Sequence, residues 1–150
     1  MTFKLSQRSL DRLEGVNPQL IAVVKRAIEL TTVDFGVTEG VRSEETQRTY
    51  VDAGKSQTMN SKHITGDAVD LVAYIGSSVA WELNLYDNIA DAMKQAAIEL
   101  DVSIKWGAAW NVPNICQWNG TMDKAMMHYI DERRAQGRKP FIDGPHFELS

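Results

Sequence analysis

The chain reads as an α+β domain, a small and mainly antiparallel sheet with flanking helices. Three observations predict it. Apolar residues keep helical spacing in the longer segments and alternate in short ones; helices are grouped with short strands without a regular βαβ rhythm; and no glycine-rich phosphate loop opens a helix. At 150 residues the chain has the size of one domain, 1–150, which buries a core without disulfides or a structural metal. Any metal it holds is therefore free to be functional.

From Ser6 to Leu13 the apolar positions Leu5, Leu10 and Leu13 predict a short helix that Gly15 ends, and Asn17-Pro18 places a cap and a first-turn proline before a second helix. That helix runs to about Leu30, with Leu20, Val23, Val24, Ala27 and Ile28 on one face expected to pack against a sheet. Residues 33–41 read as a strand. Ser43 followed by Glu44 and Glu45 gives a capping hydroxyl and first-turn carboxylates to a third helix, which Gly54 stops.

The polar stretch from Lys55 to Lys62 reads as a loop, after which residues 68–73 alternate as a half-buried strand with Asp70 pointing the same way as Ala68 and Val72. Leu85, Ile89, Met93, Ala96, Ala97 and Leu100 form the longest helical stripe, between Trp81 and Leu100. Val102, Ile104 and Trp106 then alternate as a strand. Residues 110–120 form a loop, residues from about 122 to 136 a helix closed by Gly137 and Pro140, and a last strand carries His146 and Glu148 on one face.

A net charge of -4 without a basic tract gives counterion release little to act on, so nucleic acid is not expected as a partner. No apolar run reaches the length of a membrane span, and the first residues lack the apolar core of a secretory signal, so cytosolic synthesis without stable membrane association is expected. The single cysteine, Cys116, forms no internal bridge, in keeping with a reducing compartment.

The chemistry is concentrated in two short segments. His63 and Asp70 lie in Ser61-Lys-His-Ile-Thr-Gly-Asp-Ala-Val-Asp70, and Asp143 and His146 in Asp143-Gly-Pro-His146. Two histidines and one carboxylate are the ligand set of a catalytic zinc, with a fourth position left open to water, and they point to a hydrolase. Seven residues apart on a straight strand, His63 and Asp70 face opposite sides, so the Gly66 turn is required to bring them together. Asp143 is the expected general base, against the plain reading that an aspartate starts the turn before Gly144-Pro145. Arg42, at a strand-to-helix corner, is a candidate to stabilise an oxyanion or hold a substrate carboxylate, unless it only pairs with Glu44 and Glu45. Ser61 is either a loop hydroxyl or a group that bonds the substrate backbone or orients a ligand.

Ser61-x-His63-x-x-Gly66-x-Ala68-x-Asp70, the later Asp143-x-x-His146 and the upstream Gly40-Val41-Arg42, in that order, resemble the zinc D-alanyl-D-alanine carboxypeptidase and dipeptidase family. With aspartate as the base and a compact chain, the resemblance is closest to phage endolysins that are L-alanyl-D-glutamate peptidases. It implies a fold shared with hedgehog-type domains, Zn2+ on His63, Asp70 and His146, Asp143 as catalytic carboxylate, and Arg42 polarising or anchoring substrate. It also implies a peptidoglycan stem peptide as partner, a monomer, and action on the cell wall after release from the host cytoplasm. The alternatives are a D-alanyl-D-alanine carboxypeptidase and a non-catalytic zinc-bearing binding module.

Trp106-Gly-Ala-Ala-Trp110 resembles the family's Trp-Gly-x-Asp-Trp stretch, with Ala109 where relatives often carry aspartate. Residues 111–139 look like an insertion that shapes the groove. His128 falls on the polar face of its helix and reads as a solvated histidine, Cys116 lacks companions at ligand spacing, and Trp106 reads as core.

Overall fold

The computed structural model describes residues 2–56 and 58–150. Among these residues, five α-helices and five strands follow in the order α1 (Gln7–Arg12), α2 (Pro18–Leu30), β1 (Asp34–Glu39), α3 (Glu44–Asp52), β2 (Ala68–Ile75), β3 (Ser78–Ala80), α4 (Leu83–Leu100), β4 (Ile104–Trp106), α5 (Met122–Ala135) and β5 (His146–Leu149). The caps predicted at Asn17 and Ser43 are in place, and Ser6 adds a third. Ser6 accepts from the Ser9 amide, Asn17 from Gln19 and Ser43 from Thr46, each satisfying a backbone donor that its helix leaves free.

The sheet is antiparallel throughout, in the order β1-β2-β5-β4. β1 runs along one edge of β2, while the other edge is shared: its first residues pair with β5 and its last with β3. β3 has no counterpart in the sequence reading. It closes a hairpin across Gly76-Ser77, where Gly76 has φ +63°, the geometry a two-residue loop with glycine first demands.

Along β2 the side chains alternate between two fates. Val69, Leu71 and Ala73 enter the core with Trp106, Phe147 and the buried face of α4, so Asp70 projects from the opposite face of the sheet. The apolar face of α2 packs chiefly on α4, and α1 packs on β1. The expectation that α2 lies against the sheet is thus corrected: α4, the longer and more buried helix, occupies that layer. Trp106 is fully buried, as its alternation predicts, and its indole Nε1–H donates to the Gly144 carbonyl at 2.7 Å. That bond ties the core to the turn before β5.

Candidate metal centre and cleft

Asp70 and His146 are directly paired positions of β2 and β5, so their side chains rise from one face of the sheet as neighbours. His63 reaches the same point from the turn over residues 62–66. Gly66 makes that turn with φ +80°, and a Cβ there would lie 2.7 Å from the Gly15 carbonyl oxygen, so no other residue fits.

Hydrogen bonds fix both imidazoles. His63 Nδ1 lies 2.8 Å from the Gly40 carbonyl, which only accepts, so Nδ1 carries the hydrogen and Nε2 presents a lone pair. His146 Nε2 lies 2.8 Å from a Glu148 carboxylate oxygen, which leaves Nδ1 free in the same way. His63 Nε2, His146 Nδ1 and Asp70 Oδ1 then form a triangle with 3.2 Å on each side.

Three electron pairs that close repel one another unless a positive charge sits among them. Without a metal, that charge is a proton: burial works against the His146 cation, but hydrogen bonds to Asp70 and Glu148 raise its pKa to about 9. Burial likewise opposes ionisation of Asp70, yet its contacts with the His146 and His63 imidazoles prevail and hold its carboxyl below the usual range. Ligands at about 2.0–2.1 Å from a tetrahedral ion stand roughly 3.3 Å apart, so the triangle fits such an ion without rearrangement. Among the described residues, no other three His, Cys, Asp or Glu side chains converge in this way.

Arg42 is 8% exposed and already engaged. Its Nη1 donates to Gln47, its Nε to Glu39, and its Nη2 lies 3.5 Å from Asp70 Oδ2, while the guanidinium stacks 4.5 Å over the Tyr50 ring. Asp70 therefore turns one oxygen to the imidazoles and the other to Arg42. The carboxylate beside Arg42 belongs to Glu39, which pairs across from Asp70 on β1, and not to Glu44 or Glu45. Ser61 Oγ accepts from the His63 amide at 3.2 Å and so shapes the turn that carries the imidazole.

Asp143 stands at the mouth of the same centre. Its amide donates to the Gly107 carbonyl and its carbonyl accepts from the His146 amide, so one tight turn carries Asp143 and His146 together. Burial, then the negative charge of Asp70, raises the Asp143 pKa, against the pull of His146, His63 and Arg42. Gly107 makes room for this turn, since a Cβ there would lie 2.4 Å from the Asp143 carbonyl oxygen and 2.9 Å from His146 Cβ.

The centre opens into a cleft of about 770 Å³, room for several residues of an extended peptide. One wall holds Tyr50, Lys55, Thr58 and Asn60; the other holds Trp110, Tyr129, Arg133 and Phe141. Trp110 lies 5.4 Å from the His146 ring and stacks on Phe141. Two members of that second wall come from residues 111–139, the segment expected to shape the groove. Ala109 is fully buried in the core, Cys116 is half-buried against the Val102 carbonyl, and His128 is exposed and 3.4 Å from Glu132. None of the three belongs to the centre. Glu148 and Glu39, which orient His146 and Arg42, carry no role in the sequence reading; the signal for Glu148 was its place two residues from His146 on a strand.

Known proteins resemble the chain in sequence and in fold. The family model for the phage L-alanyl-D-glutamate peptidase matches residues 1–150. The L-alanyl-D-glutamate peptidase of Escherichia phage T5 is 36% identical over 115 residues, spanning 74% of this chain and 84% of that protein. The L-alanyl-D-glutamate peptidase of Listeria phage A118 is 28% identical over 114 residues, 74% of this chain but only 40% of that longer protein. Among solved structures, the L-Ala D-Glu endopeptidase ChiX of Serratia marcescens superimposes with a TM-score of 0.75 at 35% identity, covering 99% of this chain and 91% of that one.

Proposed function

The chain belongs to the phage L-alanyl-D-glutamate peptidase family, and from that premise we propose that it is a zinc-dependent endolysin that hydrolyses the L-alanyl-D-glutamate bond of peptidoglycan stem peptides. The observation that carries the reading is the triangle of His63 Nε2, His146 Nδ1 and Asp70 Oδ1 opening toward Asp143. When bound there, zinc supplies Lewis acidity, which brings the pKa of water from about 15.7 to about 7.

The residues around the triangle divide the remaining work. Asp143 takes a proton from the attacking water on a carboxylate oxygen as the water adds to the alanyl carbonyl carbon, and gives it to the glutamyl nitrogen as the C–N bond breaks. Its raised pKa suits a group that must hold a proton between those two events. Glu148 keeps the His146 lone pair on Nδ1, and Arg42 orients Asp70 from behind, a positioning role that agrees with its buried and fully engaged guanidinium. Ser61 steadies the turn that carries His63. The cleft walls hold the peptide extended across the centre and exclude bulk water.

No helix among the described residues is long and apolar enough to cross a membrane. Because its substrate is peptidoglycan, the protein acts at the cell wall. Digestion of purified stem peptides followed by mass spectrometry tests the reading: a new D-glutamate amino terminus is expected. Release of free D-alanine would assign a carboxypeptidase instead, and binding without turnover a non-catalytic module.

A further inference from the structure

Four cationic side chains line the cleft, and they are not equivalent. Arg42 is committed to Glu39 and Asp70, and Lys62 to Glu148 and the Leu149 carbonyl. Among the described residues, no carboxylate lies within ion-pair distance of the other two, Lys55 and Arg133. Lys55 is exposed on the first wall. Arg133 is half-buried on the second, one helical turn from Tyr129, and its Nη2 is anchored on the Lys139 carbonyl at 3.1 Å. Its Nε is shielded from solvent and has no hydrogen-bond partner.

Such a guanidinium is a charge prepared for an anion. Its planar fork is already oriented, so little side-chain entropy is lost when an acceptor arrives. The Trp110, Phe141 and Tyr129 rings that line the same cleft lower the local dielectric and strengthen attraction to an oxygen anion. The residue that follows the scissile bond in an L-alanyl-D-glutamate substrate has two carboxyl groups, of which chain continuation uses at most one. One carboxylate therefore remains free within reach of the reacting nitrogen.

We propose that Arg133 is the specificity-determining residue that binds the free carboxylate of the substrate's D-glutamate, against the aromatic wall of Trp110 and Phe141. This rests on the L-alanyl-D-glutamate reading above and adds to it the group by which that bond is chosen. It also gives a purpose to the segment between Asn111 and Lys139, which brings Arg133 to the cleft on α5.

The test compares two synthetic stem peptides that differ only in whether the D-glutamate carboxylate is free or amidated. Wild-type protein is expected to favour the free carboxylate, mainly through KM, by about 10- to 100-fold in kcat/KM, the range of a charge-assisted hydrogen bond. Arg133→Gln is expected to bring kcat/KM for the free-carboxylate peptide down toward that for the amidated one, with unchanged metal content, and Arg133→Lys to keep part of the preference. Equal cleavage of both peptides by wild-type protein overturns the proposal without any variant. So does a preference that survives Arg133→Gln but disappears in Lys55→Gln, which places the recognition on the opposite wall. Failure of wild-type protein to cleave either peptide overturns the L-alanyl-D-glutamate reading itself, and the proposal with it.

Discussion

Glu148 lies two residues beyond His146 on β5, and its carboxylate oxygen is 2.8 Å from His146 Nε2. Side chains at i and i+2 of a strand share a face, so the strand that supplies His146 also supplies the group that fixes its tautomer. Glu148→Ala is expected to weaken zinc binding about 10- to 100-fold, while Glu148→Gln, which keeps an acceptor oxygen, loses less. Competition against a chromophoric chelator measures both. Equal affinity in Glu148→Ala and wild type would remove Glu148 from the centre.

Asp143→Asn separates catalysis from metal binding. It retains the turn and the three ligands but has no carboxylate to accept a proton, so kcat is expected to fall about 10²- to 10⁴-fold with one zinc still bound per chain. Elemental analysis beside a peptidoglycan turbidity assay tests this. Loss of zinc in the variant would instead make Asp143 a ligand.

Gly107→Ala places a methyl group 2.4 Å from the Asp143 carbonyl oxygen, so the turn carrying both Asp143 and His146 must shift. A displacement near 1 Å at a reacting group costs about 10²-fold in rate, and overpacking costs about 1–3 kcal/mol in stability. Thermal melting and kcat/KM should fall together. A variant with wild-type activity would show that the turn is not held at its position by contact with β4.

Asp87 lies beside Asp91 and Asp123, and burial together with their charges raises its pKa to about 6. The folded state thus favours the protonated form more than the unfolded chain does. Above about pH 6 both states are ionised and the full destabilisation is present; it fades as the folded state takes up its proton and is largely gone near pH 4, close to the ordinary aspartate value. Solvent screening at this half-buried position limits the effect to about 1 kcal/mol, so Asp87→Asn is expected to raise Tm by about 2–4 °C at pH 7.5 and by almost nothing at pH 4. Melting curves at the two pH values check it; a gain of the same size at both would exclude relief of charge repulsion.

Local rules made much of this molecule legible. Asn17-Pro18, Ser43 and the apolar stripe of α4 mark their elements because caps and periodicity act within a few residues. His63, Asp70 and His146 were readable because their residue types suit one ion and Gly66 supplies the turn their spacing requires. Relations set by packing between elements were harder. That α2 rests on α4, and that Arg42 pairs with Glu39 and not with its neighbours Glu44 and Glu45, depends on which layers stack and which strands pair. β3 is three residues long, too short for a pattern of its own, although Gly76-Ser77 carried the hairpin signal.

The most direct test is to strip the protein with a chelator and titrate zinc back while counting new D-glutamate amino termini released from purified peptidoglycan. Activity that is absent in the stripped protein and returns in proportion to zinc, saturating at one ion per chain, is the predicted result. Full hydrolysis by protein holding well under one ion for every ten chains would contradict it.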